Sequence, residues 1–165
     1  MITRAAKVLL LAGIALFYTL VVFNNLTDFD SNYQFVRHVL MMDSTFPGNH
    51  GTWRAMSSPA IHLIFYLSII AWEAVTTVLL WWGVIRLANA IRLSAGAFNL
   101  AKRVAVAALT LSMMMWLVAF LSVGAEWFLM WQSRTWNGQE AAFRSFAVVG
   151  LVLLILMQPE SEGQA

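Results

Sequence analysis

Four polar side chains fall on one face of a long apolar run in this chain. His62, Tyr66, Glu73 and Thr77 are separated by four, seven and four residues, so a helix would gather them within an arc of about 60°. An acid at the centre of a membrane-spanning helix costs ~2.5–3.5 kcal/mol on insertion scales, which the Ile, Leu, Val and Trp residues around Glu73 readily offset. A stripe of this kind is expected to turn toward other helices or a partner rather than toward lipid. Three chemistries are then open to Glu73: a carboxyl hydrogen-bonded between helices, a proton- or cation-handling site, and a contact with another subunit.

Other chemistry is sparse. Glu126, near the outer end of the third apolar run, is level with Arg144 at the start of the fourth, and a structural ion pair between them is expected. A cation site shared with Asp28, Asp30 or Asp43 is the alternative. His38, His50 and His62 fall on one side of the apolar runs, with Met41, Met42 and Asp43 nearby. Copper or zinc would suit such donors, but no pair has H-x3-H spacing, and haem would need histidines facing each other across a bundle. No metal and no cofactor is expected. With no cysteine, thiol chemistry and disulfides are absent. Neither Gly-x-Ser-x-Gly, His-Glu-x-x-His nor a phosphate loop occurs, so no catalytic residue is assigned and a non-enzymatic protein is expected.

The elements that must position these residues are membrane helices. Of 165 residues, 61% are apolar and 11% charged, against roughly half and a quarter in soluble domains. Four apolar runs, about 5–23, 59–87, 102–130 and 141–158, are read as spanning helices joined by outer loops 24–58 and 131–140. The fourth is marginal against the ~20 residues that ~30 Å of hydrocarbon requires. Arg4 and Lys7 precede the first run, and no small-residue cleavage site follows it, so a retained signal anchor is expected. Ser58-Pro59 reads as a serine cap with proline at the first helical position. The net charge of +2 comes without a basic patch, and nucleic-acid binding has no support.

Lys and Arg counts set the orientation. Arg4, Lys7, Arg86, Arg92, Lys102 and Arg103 lie on one side, and Arg37, Arg54, Arg134 and Arg144 on the other. The bias places both termini and the middle loop in the cytoplasm; the acidic Glu160 and Glu162 do not enter that count. Trp81 and Trp82 form an inner aromatic belt, and Trp53, Trp127, Trp131 and Trp136 an outer one. In the first outer loop, Ser31 and Gln34 form a capping box ahead of Tyr33, Val36, Val39, Leu40 and Met41 at roughly helical spacing. A short helix on the outer face, or over the bundle mouth, is expected there, ending before the turn Phe46-Pro47-Gly48-Asn49. The middle loop, 88–101, is read as an ordinary linker, with Ser94 as a candidate cap. The expected fold is all-α: one membrane domain of four transmembrane helices, N-in and C-in, with a short surface helix in the first periplasmic loop.

The outer loops also echo one another. Thr45-Phe46-Pro47-Gly48-Asn49 with Trp53-Arg54 and Thr135-Trp136-Asn137-Gly138-Gln139 with Phe143-Arg144 share the pattern T-[FW]-x-G-[NQ]-x3-[WF]-R at an offset of ninety residues. Either the halves are a parallel repeat, as in some transporters, or the composition common to outer belts and turns has produced the match by coincidence.

The segments Asn24-Asn25-x-x-Asp28, Asn32-x-x-Phe35-Val36-Arg37-His38-Val39-Leu40-x-Met42-Asp43 and Glu126-Trp127-Phe128-x-Met130-Trp131-Gln132-Ser133-x-x-Trp136-Asn137-Gly138-Gln139 resemble those of a family of bacterial small integral membrane proteins with no assigned function. The resemblance covers almost the whole chain. It implies four spanning helices in a bacterial inner membrane and offers no catalytic residue to carry over. Polar and aromatic residues concentrate in the loops at Asn24, Asn25, Asp28, His38, Asp43, Arg54, Trp136, Asn137 and Gln139, beyond what short connections need. These loops are expected to bind a partner protein, a second copy of the chain or a small ligand. The competing expectation is a small transporter or channel using Glu73 at the bilayer midplane, which at 18.5 kDa would require a homo-oligomer. A third is an accessory subunit of a larger membrane complex.

Overall fold

The computed structural model describes residues 1–160; Glu162 lies outside the described residues. Five helices make up most of it: α1 (Ile2–Thr27), α2 (Phe29–Met41), α3 (Pro59–Ala90), α4 (Ala95–Met114) and α5 (Gln139–Met157). α4 continues without interruption as a π-helix over Met115–Trp127. α1, α3, α4 with its π-helical extension, and α5 are each long and apolar enough to cross a membrane. No strand occurs among the described residues.

Several helix ends differ from those read in the sequence, and always at polar residues. α1 extends beyond 5–23 at both ends, because Arg4 at one end and Asn25 at the other find partners within the bundle. α4 begins at Ala95 rather than near residue 102, since Ser94 caps it and Asn99 bonds Lys102 one turn on. The middle connection shrinks to a turn ending at Ser94, whose Oγ accepts from the Ala97 N–H at 3.3 Å, as its candidate role as a cap required.

One capping expectation holds in position and another fails. Ser58 occupies the N-cap of α3 with Pro59 at the first helical position, although the Ser58 side chain makes no cap bond. The Ser31–Gln34 capping box is absent, because α1 stays helical to Thr27 and only Asp28 breaks the chain before α2 starts at Phe29. Ser31 is thus already inside the helix, and Gln34 donates instead to Asp30 Oδ1 at 3.2 Å.

The spanning helices form a ring in which α3 packs on α1 and α4, α4 and its π-helical extension pack on α5, and α5 returns to α1. Leu11, Tyr18, Leu80, Leu87, Phe98, Leu109, Met115, Val149 and Leu156 fill the main core. A second core lies under α2, where Val36, Val39, Leu40 and Met42 meet Tyr66 and Ile70 of α3 and Ala125, Phe128 and Met130. Two non-glycine residues border this second core in the left-handed region, Met42 (φ 53°) and Leu129 (φ 54°). That conformation costs an L-residue roughly 1–2 kcal/mol, which burial of the Met42 side chain helps to offset.

At the opposite end of the bundle, the N-terminus, the α3–α4 turn and the residues after α5 converge. Lys7 Nζ lies 2.5 Å from Glu160 Oε1, and Arg4 Nε 3.4 Å from Glu160 Oε2. Arg4 also donates to the carbonyls of Ile91 and Leu93 at 3.1 and 2.7 Å. Lys102 Nζ donates to Gln158 O and Asn99 Oδ1 and lies 3.6 Å from Glu160 Oε1. Burial alone would push the Glu160 carboxyl up, but the bond and charge of Lys7, the charge of Lys102 and the Arg4 bond outweigh it and hold the group below the usual carboxylate range.

A carboxyl lowered on folding stabilises the fold above its ordinary value, 4.5, and loses that contribution as pH falls through the folded-state value. The melting-temperature gap between wild type and Glu160→Gln is therefore expected to be steady near neutral pH and to shrink below 4.5. A gap unchanged in acid would show that the carboxylate charge contributes nothing.

Candidate functional site

Glu73 lies midway along α3 but not midway through the bundle. Its Oε2 accepts a hydrogen bond from Asn25 Nδ2 at 2.6 Å, and Asn25 belongs to the last turn of α1. Below this pair, Trp81 Nε1 donates to Thr19 Oγ1 at 3.0 Å, confirming that α3 and α1 run antiparallel in this register. α3 has 32 residues, or about 48 Å at 1.5 Å per residue, and so overshoots the end of α1. The midplane expectation takes depth along α3 alone; relative to α1 and the start of α5, Glu73 belongs to the end of the bundle covered by α2.

The polar stripe separates into parts with different duties. Tyr66 is 1% exposed and its hydroxyl donates to Asn25 O at 3.0 Å, while Phe29 and Tyr33 of α2 pack against its ring. His62 Nε2 donates to Met56 O at 2.7 Å, tying the segment before α3 to that helix. Its Nδ1 is buried without a partner. Thr77 donates to Glu73 O at 2.7 Å, along its own helix. Of the four, Tyr66 and Glu73 form one cluster with Asn25; His62 and Thr77 serve the backbone.

A cavity of about 260 Å³ opens beside this cluster. Asn25, Tyr66 and Glu73 line it with Asn32, Phe35 and Val36 of α2, Trp116 and Phe120 of the π-helix, and Gly138, Ala141 and Ala142 at the start of α5. Glu73 is 2% exposed, and its Oε1 has no hydrogen-bond partner among the described residues, as its one carboxylate bond is Asn25 to Oε2. Trp116 Nε1 is also buried without a partner, although it faces the Tyr18 hydroxyl, which itself bonds Ser112 Oγ at 2.5 Å. A second cavity, about 270 Å³ and almost wholly apolar, adjoins the first. Phe35, Val36, Ile69 and Phe120 are shared between their walls. The remaining wall includes Phe65 and Trp72 of α3 and π-helical Val118, Val123 and Gly124. Long π-helical stretches are rare, and π-bulges favour functional sites; here one lines both cavities.

Many of the loop residues hold the loops to one another. Gln132 Oε1 accepts from Phe46 N at 3.1 Å and from Asn49 Nδ2 at 3.0 Å, and Ser44 Oγ donates to Ser133 Oγ at 2.8 Å. His38 stacks on Trp136 at 4.6 Å and pairs with Asp43 at 2.7 Å. Arg54 lies over Trp127 and Trp53 and donates to Gly51 O. Asn137 Oδ1 accepts from Gln139 N. Asn24 and Asp28 are exposed, with Asp28 at the α1–α2 break. Gln132 and Ser133 belong to the motif that carries the family resemblance, though no role attaches to them there; Ser44 lies outside it, and nothing in its type or spacing marks it.

The Glu126–Arg144 expectation fails, and the two echoed turns differ in conformation. Glu126 and Arg144 are both exposed and form no ion pair; Arg144 instead borders a groove with Leu9, Leu10 and Phe17 of α1. The echoed turns are not equivalent in structure. Gly48 has φ 77° whereas Gly138 has φ −92°, and Arg54 closes a 3₁₀ turn before α3 while Arg144 lies inside α5. Among the described residues, no three His, Asp or Glu side chains are grouped as metal ligands are.

Fold and site together define a four-span integral membrane protein with a buried carboxyl-lined cavity under a helical cap. The family described as "Predicted small integral membrane protein (DUF2165)" matches residues 3–159, and the chain belongs to it. No curated protein and no solved structure matches the chain.

Proposed function

We propose that this is a non-enzymatic binding protein of the bacterial inner membrane, with both termini cytoplasmic, which holds a small amphiphile in the paired cavities. The polar end of the ligand satisfies Glu73 Oε1, and its hydrocarbon part occupies the space among Phe65, Ile69, Phe120 and Val123. Pockets of this kind, mostly apolar with a few placed polar groups, are the usual form of small-molecule sites. On this reading the outer loops form the cover of the site, and their mutual bonds keep it closed. The observation that carries the reading is a carboxyl 2% exposed, with one oxygen bonded to Asn25 and the other facing a cavity without a partner. That same free oxygen favours a second reading, proton or cation passage through an oligomer.

Ala141 is exposed and lines the first cavity, so Ala141→Trp is expected to fill the space without disturbing the bundle. Protein extracted in native lipid discs, then denatured and analysed by mass spectrometry, should release an amphiphilic compound from the wild type that is depleted from Ala141→Trp. Identical extracts from two equally folded proteins would refute the binding proposal.

A further inference from the structure

Among the described residues, the bundle end that carries Arg4, Lys7 and Lys102 pairs three cations with one carboxylate. All three cations are at least nine-tenths buried, and Glu160 is the only described carboxylate bonded to them. Beside this cluster a groove of about 590 Å³ opens on the outside of the bundle between α4 and the end of α5. Its walls carry Asn99, Lys102 and Arg103 at one end, and Val106, Ala107 and Met157 along its length. Arg103 is exposed and has no hydrogen-bond or ion-pair partner among the described residues. A free guanidinium, a buried cluster of cations behind it and an apolar trough leading away from both match an anion with a hydrocarbon tail. Basic pockets between spanning helices bind lipid head groups in the same way.

We propose that the α4–α5 groove binds one anionic phospholipid, its phosphate on Arg103 beside Lys102 and an acyl chain along Val106, Ala107 and Met157. The lipid places a second anion beside the cluster that Glu160 bonds. It lies on the outside of the ring, apart from the Glu73 cavity, and does not depend on what that cavity holds.

The test is native mass spectrometry of the full chain in detergent, titrated with phosphatidylglycerol or phosphatidylcholine. The wild type is expected to retain one phosphatidylglycerol in preference to phosphatidylcholine. Arg103→Gln should weaken that preference about fivefold, the effect of one basic residue near a lipid surface. Arg92 is exposed at the same end but outside the groove, and Arg92→Gln should leave the preference intact. Equal retention of both lipids by the wild type, or an unchanged preference in Arg103→Gln, would overturn the proposal. So would an equal loss in Arg92→Gln, which would reveal a diffuse charge effect. Free glycerol 3-phosphate competing as well as the whole lipid would also refute it, since the acyl chain would then contribute nothing.

Discussion

Replacing Glu73 by leucine is expected to lower the melting temperature of the detergent-solubilised protein, whereas glutamine should leave it near the wild-type value. Asn25 donates to Glu73 Oε2 at 2.6 Å from a position only 8% exposed. Leucine removes the acceptor and strands that amide, at a cost of roughly 1–3 kcal/mol for a buried unsatisfied group. Interhelical hydrogen bonds in membranes average nearer ~0.6 kcal/mol, so the lower part of that range is the better guide. Glutamine retains a carbonyl for Asn25 and loses only the titratable group. The same pair of variants separates the two functional readings. If an oligomer passes protons or cations through Glu73, proteoliposomes should show a cation- or proton-dependent flux that Glu73→Gln abolishes. A flux equal in both removes the transport reading, and leucine matching glutamine in stability would mean that the Asn25 bond contributes nothing.

What the sequence made legible follows from which physical effect dominates at each place. Spanning helices are set by hydropathy over some twenty residues, a signal that local detail does not disturb, and all four are present. Their ends are set by whether individual polar groups find partners, which needs the third dimension. Arg4 and Asn25 fall outside the apolar runs and Lys7 and Lys102 at their edges, yet all four lie within helices, because Glu160, Glu73, Gln158 and backbone carbonyls receive them. The candidate site shows the same division. Periodicity placed Tyr66 and Glu73 on one face. It could not show that Asn25, assigned to a loop, is the partner of Glu73, nor that α3 is offset along its axis relative to α1. The echoed turns, open to either repeat or coincidence in the sequence, differ for a related reason: like residues at like spacing took different backbone conformations once their surroundings differed. The π-helix left no sequence trace that could be read, since its residues are as apolar as any spanning segment.

Gly83 is expected to be among the least tolerant positions in the bundle, and Gly13 among the most permissive. A Cβ on Gly83 would stand 2.9 Å from Ala105 Cβ and 3.0 Å from Ala105 Cα, so the obstruction is the backbone of α4 and no side chain can swing aside. Small residues let spanning helices approach this closely, and Ala101, Ala105 and Ala108 continue the small surface along α4. Gly83→Val must push α3 and α4 apart, and forcing extra carbon into a packed core costs roughly 1–3 kcal/mol. Because α3 and the extension of α4 also wall both cavities, the displacement should weaken retention of the proposed amphiphile as well as stability. Gly13, in α1, has nothing within 4 Å of an added Cβ. Gly13→Ala gains the helix preference of alanine, about 0.8–1.0 kcal/mol over glycine in a helix interior, and should raise the melting temperature. Thermal unfolding followed by tryptophan fluorescence reads both variants. If Gly83→Val melted with the wild type, the close contact between α3 and α4 would not be a determinant of the fold; the opposite shifts expected here would make it the contact on which the shape of the two cavities depends.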